Sequence, residues 1–260
     1  MAEYEIRSGA FSIIGDRAVQ QDSYSKVENP DGIVLAAVYD GMGGLQGGEK
    51  ASQTCKEILE ASFLEEEKLS VPDSSEWIMD MMNLMDRKVH ELTTEDGETL
   101  GGGSTCVMVL ADGHEFKLGC VGDSMIYLLR EDELIRLTRM HNYNLVLDNM
   151  VKNGEINEEE RLLRSAKGEA LISYLGMGGL AMGDIRNIFW KDKDYLILCS
   201  DGLYKSLSDL QIKAIVEESG GNPQIAARRL CEEAYRLRTR KQDNTTVVVV
   251  KYTRTEECSL

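Results

Sequence analysis

Residues 104–137 read STCVMVLADGHEFKLGCVGDSMIYLLREDELIRL. Short runs rich in Val, Ile, Leu and Tyr are cut by Asp112-Gly113 and Glu131-Asp132, the residue pairs that tight turns use. The spacing predicts an antiparallel meander. Upstream, IVLAAVY (33–39) reads as a buried strand that stops at Asp40-Gly41, and downstream YLILCS (195–200) reads as another. NTTVVVVKY (244–252) closes the chain as a last strand, and the first residues alternate only weakly. Between these runs the period is helical. A helix from about Gly47 to Leu64 places Ala51, Cys55, Ile58, Leu59 and Ser62 on one side. A second, capped by Asp73 or Ser74, carries the stripe Ile78, Met81, Met82, Met85, Val89 and Leu92. Methionines at that spacing are core filler. Two more amphipathic helices span about 208–218 and 223–238, and the polar stretch 139–170 predicts small helices over one edge. Antiparallel strand runs alternating with paired helices imply an α+β fold. Two packed antiparallel sheets with helices outside would bury these strands on both faces.

Composition narrows the function. The chain has 260 residues, 42% hydrophobic and 28% charged, which is globular and fits one domain over 1–260. A formal net charge of −16 is the opposite of what a non-specific nucleic-acid binder needs, and it disfavours an anionic membrane as well. It suits metal cations, although solubility alone accounts for most acidic surfaces. The cysteines at 55, 106, 120, 199, 231 and 258 form no CxxC pair, and several sit in apolar runs, as reduced core residues of a cytoplasmic protein do. MAEYEIRSG carries no signal-peptide pattern, and no apolar run is long enough to cross a membrane.

Asp-Gly pairs occur at 31, 40, 96, 112 and 201. Those at 31, 96 and 112 read as turns. Asp40 and Asp201 instead end continuous apolar strands, and Asp123 and Asp243 flank strands in the same way. Carboxylates gathered at buried strand ends would repel one another unless protons or a cation neutralised them, and a hard divalent ion, Mg²⁺ or Mn²⁺, is the natural partner. Spacing alone leaves open the reading of solvent-facing turn residues. In DGMGG (40–44), Gly41 could offer its carbonyl oxygen to an ion because no side chain crowds the approach. GGGST (101–105) leads into a strand, and no phosphate-cradling GxGxxG or GxxxxGK[ST] is present.

Taken in order, RAVQQDS (17–23), DGMGG (40–44), GGST (102–105), VGDS (121–124), SDGLY (200–204) and DNTT (243–246) resemble the motifs of the metal-dependent protein phosphatase family of the 2C type, in its bacterial form. The resemblance runs over nearly the whole chain. It implies a four-layer α-β-β-α sandwich, two antiparallel sheets flanked by helix pairs, with Mn²⁺ or Mg²⁺ at one end. It implies that Asp40 bridges two core ions, that Asp201 and Asp243 complete the first, and that the Gly41 carbonyl serves the second with Asp22 acting through waters. Asp123 with Asp201 would hold a weaker third ion. Arg17 would grip the substrate phosphate, for which a planar guanidinium is suited. Residues 139–171 would form a flap beside the site.

The activity implied is hydrolysis of phosphoserine and phosphothreonine monoesters in proteins. A water shared by two ions about 4 Å apart, its pKa lowered towards roughly 7, would attack phosphorus in line. Phosphoproteins would be the substrates and a Ser/Thr kinase or its targets the partners, with neither nucleic acid nor membrane involved and the protein acting as a monomer. The competing reading is a non-catalytic metal-binding signalling protein on the same fold. Such proteins lose the metal aspartates, whereas Asp40, Asp201 and Asp243 are kept here. A Ca²⁺ module of Asp-Gly turns lacks the D-x-[DN]-x-[DN]-G loop. Three positions depart from the family pattern: Gln21 replaces a Glu, Met42 replaces the His of many eukaryotic members, and Met140 replaces the Asp before His141. Met42 can donate no proton. His141, His90 and His114 are given no catalytic role.

Overall fold

The computed structural model describes residues 3–43 and 47–255. Gly44 and Cys258 therefore lie outside the described residues. One sheet contains β1 (Glu3–Ile13), β7 (Met125–Arg130), β8 (Glu133–Arg136), β10 (Tyr195–Cys199) and β11 (Thr245–Thr255), in the order β1-β11-β10-β7-β8. The other contains β2 (Asp22–Glu28), β3 (Val34–Met42), β5 (Cys106–Ala111), β6 (Glu115–Val121) and β9 (Asp184–Phe189), in the order β2-β3-β5-β6-β9, with β4 (Gly103–Ser104) pairing the end of β3. All these pairings are antiparallel.

The continuous apolar runs are explained by burial on both faces. Along β3, Ala36 and Val38 point between the sheets, against Leu196, Leu198, Val248 and Val250. Leu35, Ala37 and Tyr39 point the other way, onto α1 (Gly47–Glu65) and α2 (Ser75–His90). Across the molecule, Tyr127, Ile197, Val247 and Val249 meet α6 (Asp209–Glu217) and α7 (Pro223–Leu237). The result is the expected α-β-β-α sandwich. The insertion after β8 holds α3 (Tyr143–Lys152), α4 (Glu158–Arg164) and a 3₁₀ turn at Ser165–Lys167. Its two ends are zipped together by backbone bonds from Tyr143 to Ala170 and from Ile172 to His141, both 2.9 Å.

Several local expectations are corrected. On α1 the inner face takes Phe63, not Ser62, and Ile58 is only partly buried. On α2 Ser74 occupies the cap position, but its hydroxyl donates to the Val71 carbonyl at 2.9 Å instead of accepting from the helix, and Leu92 lies beyond the helix end. Asp40 does not end its strand, because β3 runs on to Met42 through pairing with β4. Asp201 opens a short helix, α5 (Asp201–Tyr204).

Register collects the candidate residues at one end of the sandwich. Asp22 pairs with Asp40 at the start of β2, Cys199 pairs with both Met125 and Val247, and Ile13 pairs with Thr245. Leu198 is fully buried between the sheets and Leu210 is 80% exposed on α6. Leu198→Ala should cost about 2–5 kcal/mol of stability and Leu210→Ala no more than about 0.5 kcal/mol. Urea unfolding midpoints of the two variants check the layer assignment.

Candidate active site

Asp40 is held by its backbone. Its N–H donates to Thr105 Oγ1 at 3.1 Å, and its carbonyl accepts the Thr105 N–H at 2.9 Å and the Ser104 hydroxyl at 3.3 Å. The Thr105 hydroxyl in turn meets Ser124 Oγ at 2.7 Å, which ties this strand end to the Asp123 turn. Gly41 is required by crowding: a Cβ there would lie 2.1 Å from the Gly48 carbonyl oxygen and 2.4 Å from that of Gln21. Gln21 also accepts the Gly41 N–H at 3.1 Å, and its side-chain amide donates to the Gly43 carbonyl at 3.2 Å, a bond that a Glu at this position could not donate.

On the facing sheet, Asp201 stands at the first turn of α5, whose close approach to the start of β11 needs a glycine. A Cβ at Gly202 would lie 2.2 Å from the Asn244 carbonyl oxygen. The Asn244 side chain clamps the loop before β2, donating to Ile14 and Val19 carbonyls at 2.8 and 3.1 Å and accepting the Gln21 N–H at 2.9 Å. The DNTT segment therefore delivers Asp243 and fastens the loop that carries Arg17. Asp123 sits in the β6–β7 turn, where its backbone carbonyl accepts the Tyr204 hydroxyl at 3.1 Å.

Asp40, Asp123, Asp201 and Asp243 line one cavity of about 340 Å³, together with Arg17, Gln21, Gly41, Met42, Glu169 and Lys205. Asp22 does not line it. Its carboxylate is buried behind Asp40 and accepts the Ser200 hydroxyl at 2.7 Å. Burial first, then the repulsion of Asp22, Asp201, Asp123 and Asp243, holds the Asp40 carboxyl well above its ordinary range. Burial pushes Asp22 up to about 7 against the hydrogen bond from Ser200, and burial with Asp201 pushes Asp123 up to about 6 despite Lys205.

Two cations answer these anions. Arg17 Nη2 donates to Asp243 Oδ2 at 2.5 Å, and Lys205 pairs with Asp201 and lies 3.9 Å from Glu169 of the insertion. Sequence reading reached Arg17 but missed Lys205, Glu169, Ser200 and the clamp made by Asn244. Lys205 stands one helical turn after Asp201, a signal visible only once DGLY is known to be helical. Met42 lines the cavity without a proton to give.

The lining donors are carboxylate and carbonyl oxygens with no thiol or imidazole among them, the set that Mg²⁺ and Mn²⁺ prefer. The raised carboxyls give the same indication, since divalent charge would relieve both the burial and the repulsion. The residues fit such ions. Among the described residues, the three donors that converge within 4.8 Å are instead Cys120, His141 and Asp184. Both Asp184 oxygens are taken by Arg139, at 2.6 and 2.9 Å, and the His141 ring accepts the Gly122 N–H at 3.3 Å while facing Asp184. That cluster is a structural tether.

Residues 12–236 match the family model described as protein phosphatase 2C. The chain belongs to the protein phosphatase 2C family. It is similar to the serine/threonine phosphatase stp of Listeria innocua, 26% identical over 237 residues and 89% of each chain. The solved S. agalactiae serine/threonine phosphatase superposes with a TM-score of 0.82 at 26% identity, covering 95% of this chain and 99% of that one. The catalytic domain of the serine threonine protein phosphatase PstP, in complex with 2 manganese ions, superposes with a TM-score of 0.77 at 27% identity, covering 96% and 100%. The family and the sandwich implied by the motifs are those found.

The raised carboxyls set a pH dependence. A carboxyl whose folded pKa exceeds its unfolded value keeps its proton longer in the folded chain, so that state binds more protons across the interval and stability falls as pH rises through it. For Asp22 the interval runs from 3.8 to about 7. The metal-free chain should lose this contribution between about pH 4 and 7, and Asp22→Asn should flatten the slope relative to wild type. Thermal melts in chelator across that range check it. Equal slopes in the two proteins would contradict the electrostatics described.

Proposed function

We propose that this chain is a metal-dependent phosphatase that hydrolyses phosphoserine and phosphothreonine monoesters of proteins. The observation that carries this reading is the convergence of Asp40, Asp201 and Asp243, from both sheets, on one cavity beside Arg17. The manganese complex of the related PstP supports a site for two ions, with Mn²⁺ or Mg²⁺ as the candidates. In this reading Asp40 would be shared by the two, Asp201 and Asp243 would help hold one, and the Gly41 carbonyl would help hold the other. When bound, such ions supply positive charge against the phosphoryl oxygens and a water of lowered pKa.

The chain's own residues do the rest. Arg17 is more than half exposed at the cavity rim and can turn from Asp243 to a phosphate, which its guanidinium grips through two parallel N–H bonds. Asp22 lies behind Asp40, accepts the Ser200 hydroxyl and raises the cost of charging Asp40, so it would act on the ions through water and not touch substrate. Met42 leaves protonation of the departing alkoxide to water. Among the described residues no cysteine lines the cavity, and burial raises the thiols of Cys55, Cys106, Cys120, Cys199 and Cys231, so none of these five offers a thiolate nucleophile. In this reading the attacking group is water.

Residues 139–171 form the flap of a single domain over 1–260. Glu169 and Leu171 bring the flap into the cavity wall, and it meets the phosphoprotein. A Ser/Thr kinase acting on the same targets is the expected counterpart, and the protein works as a cytoplasmic monomer. No helix among the described residues is long and apolar enough to cross a membrane.

Mn²⁺-dependent hydrolysis of an aryl phosphate and of a phosphothreonine peptide tests the reading. Loss of an outer carboxylate at a metal site typically costs about 10–100-fold, so removing a bridging charge by Asp40→Asn should lower turnover by roughly 100-fold or more with the fold intact. Near-normal turnover would refute the bridging role. Arg17→Ala removes a charge-assisted contact worth about 1.5–3 kcal/mol and should raise KM for the peptide roughly ten- to a hundredfold. Because Arg17 pairs with Asp243, Mn²⁺ affinity should not fall in that variant. Unaltered peptide kinetics would remove Arg17 from the site.

A further inference from the structure

Among the described residues Lys205 is the one lysine lining the cavity, which it shares with Asp123, Asp201 and Glu169. It follows α5 directly, and its N–H bonds back to the Asp201 carbonyl at 3.0 Å, so its side chain leaves the helix one turn beyond the Asp201 carboxylate. Its ammonium donates to that carboxylate, stands 3.9 Å from Glu169 Oε2, and lines the same cavity as Asp123. The side chain is only 26% exposed. The preceding residue, Tyr204, donates its hydroxyl to the Asp123 backbone carbonyl at 3.1 Å, so the end of α5 ties the Asp123 turn to the helix that carries Asp201. Arg17 is a different case: it is 56% exposed at the rim and touches only Asp243 among the cavity carboxylates.

We propose that the Lys205 ammonium takes the place of a third metal ion between Asp201 and Asp123, so that this chain binds two divalent cations and carries the third positive charge in its own sequence. The inference rests on the two-ion reading given above. An ammonium offers three donors and no acceptor, which matches a ring of carboxylate oxygens. Because it is covalently tethered, its presence does not depend on ion concentration. A free divalent ion entering the same space would have to displace it and leave its charge beside the ion. Glu169 reaches the ammonium from the flap, so the same charge joins the flap base to the metal-site helix.

Calorimetric Mn²⁺ titration and equilibrium dialysis count the ions. Wild type should saturate at two Mn²⁺ per chain, with no further binding on raising Mn²⁺ into the millimolar range. Lys205→Met, nearly the same length without the charge, should add one weaker ion, and Lys205→Met with Asp123→Asn should return to two. Lys205→Arg should stay at two, and Lys205→Gln repeats the test should the Met variant fold poorly. A third ion in wild type that Asp123→Asn removes would overturn the proposal, as would two ions in both the Met and Gln variants. In either case, two ions together with aryl-phosphate hydrolysis in wild type would leave the phosphatase reading standing. A wild-type chain that bound no Mn²⁺ and hydrolysed nothing would remove both.

Discussion

Mutual repulsion among aspartates drawn to one end of the sandwich is the constraint on which the rest of the site depends. Asp22, Asp40, Asp123, Asp201 and Asp243 come from both sheets, and each raises the cost of charging its neighbours in a partly buried space. Such a cluster persists only if the frame cannot relax outward. The frame here is an apolar layer between the sheets and one beneath each helix pair, with β3, β10 and β11 buried on both faces. The stability of three cores is set against the electrostatic cost of one site. Arg17 and Lys205 offset part of that cost, and divalent ions would offset the remainder.

The motif residues that bear no charge keep the anions in place. Gly41 and Gly202 let backbone pass backbone within distances that no side chain allows. Thr105 bonds the Asp40 peptide through both its hydroxyl and its N–H, and passes the link to Ser124 beside Asp123. Asn244 spends both ends of its amide on the 14–21 loop. Thr246 donates its N–H to Ser200, whose hydroxyl bonds Asp22. Thr105, Ser124, Asn244, Thr246 and Ser200 are short, polar and uncharged, so they bond the frame without adding to the repulsion.

The layers were legible because double-sided burial writes itself as unbroken apolar runs, and because α2 and α7 keep a clear helical stripe. The strands β2 and β9 were not foreseen. β9 lies at a sheet edge with much of its surface exposed, and its residues DIRNIF neither alternate cleanly nor form an apolar run. The short α5 was hidden for a related reason: four residues are too few to show a period. Of the site, the aspartates and Arg17 could be named from resemblance and strand ends. Spacing could not say that Asp22 lies behind Asp40 or that Lys205 stands between Asp201 and Glu169. Both facts depend on cross-sheet register and helix phase, which exist only after folding.

The central claim is that these carboxylates form a divalent-cation centre that answers their own repulsion. Anomalous diffraction at the manganese edge, from crystals of the intact chain grown with Mn²⁺, tests it most directly. The account predicts anomalous peaks inside the cavity against Asp40, Asp201 and Asp243, with Arg17 moved off Asp243 and Lys205 still on Asp201. A cavity without manganese peaks, with Arg17 unmoved, would contradict it.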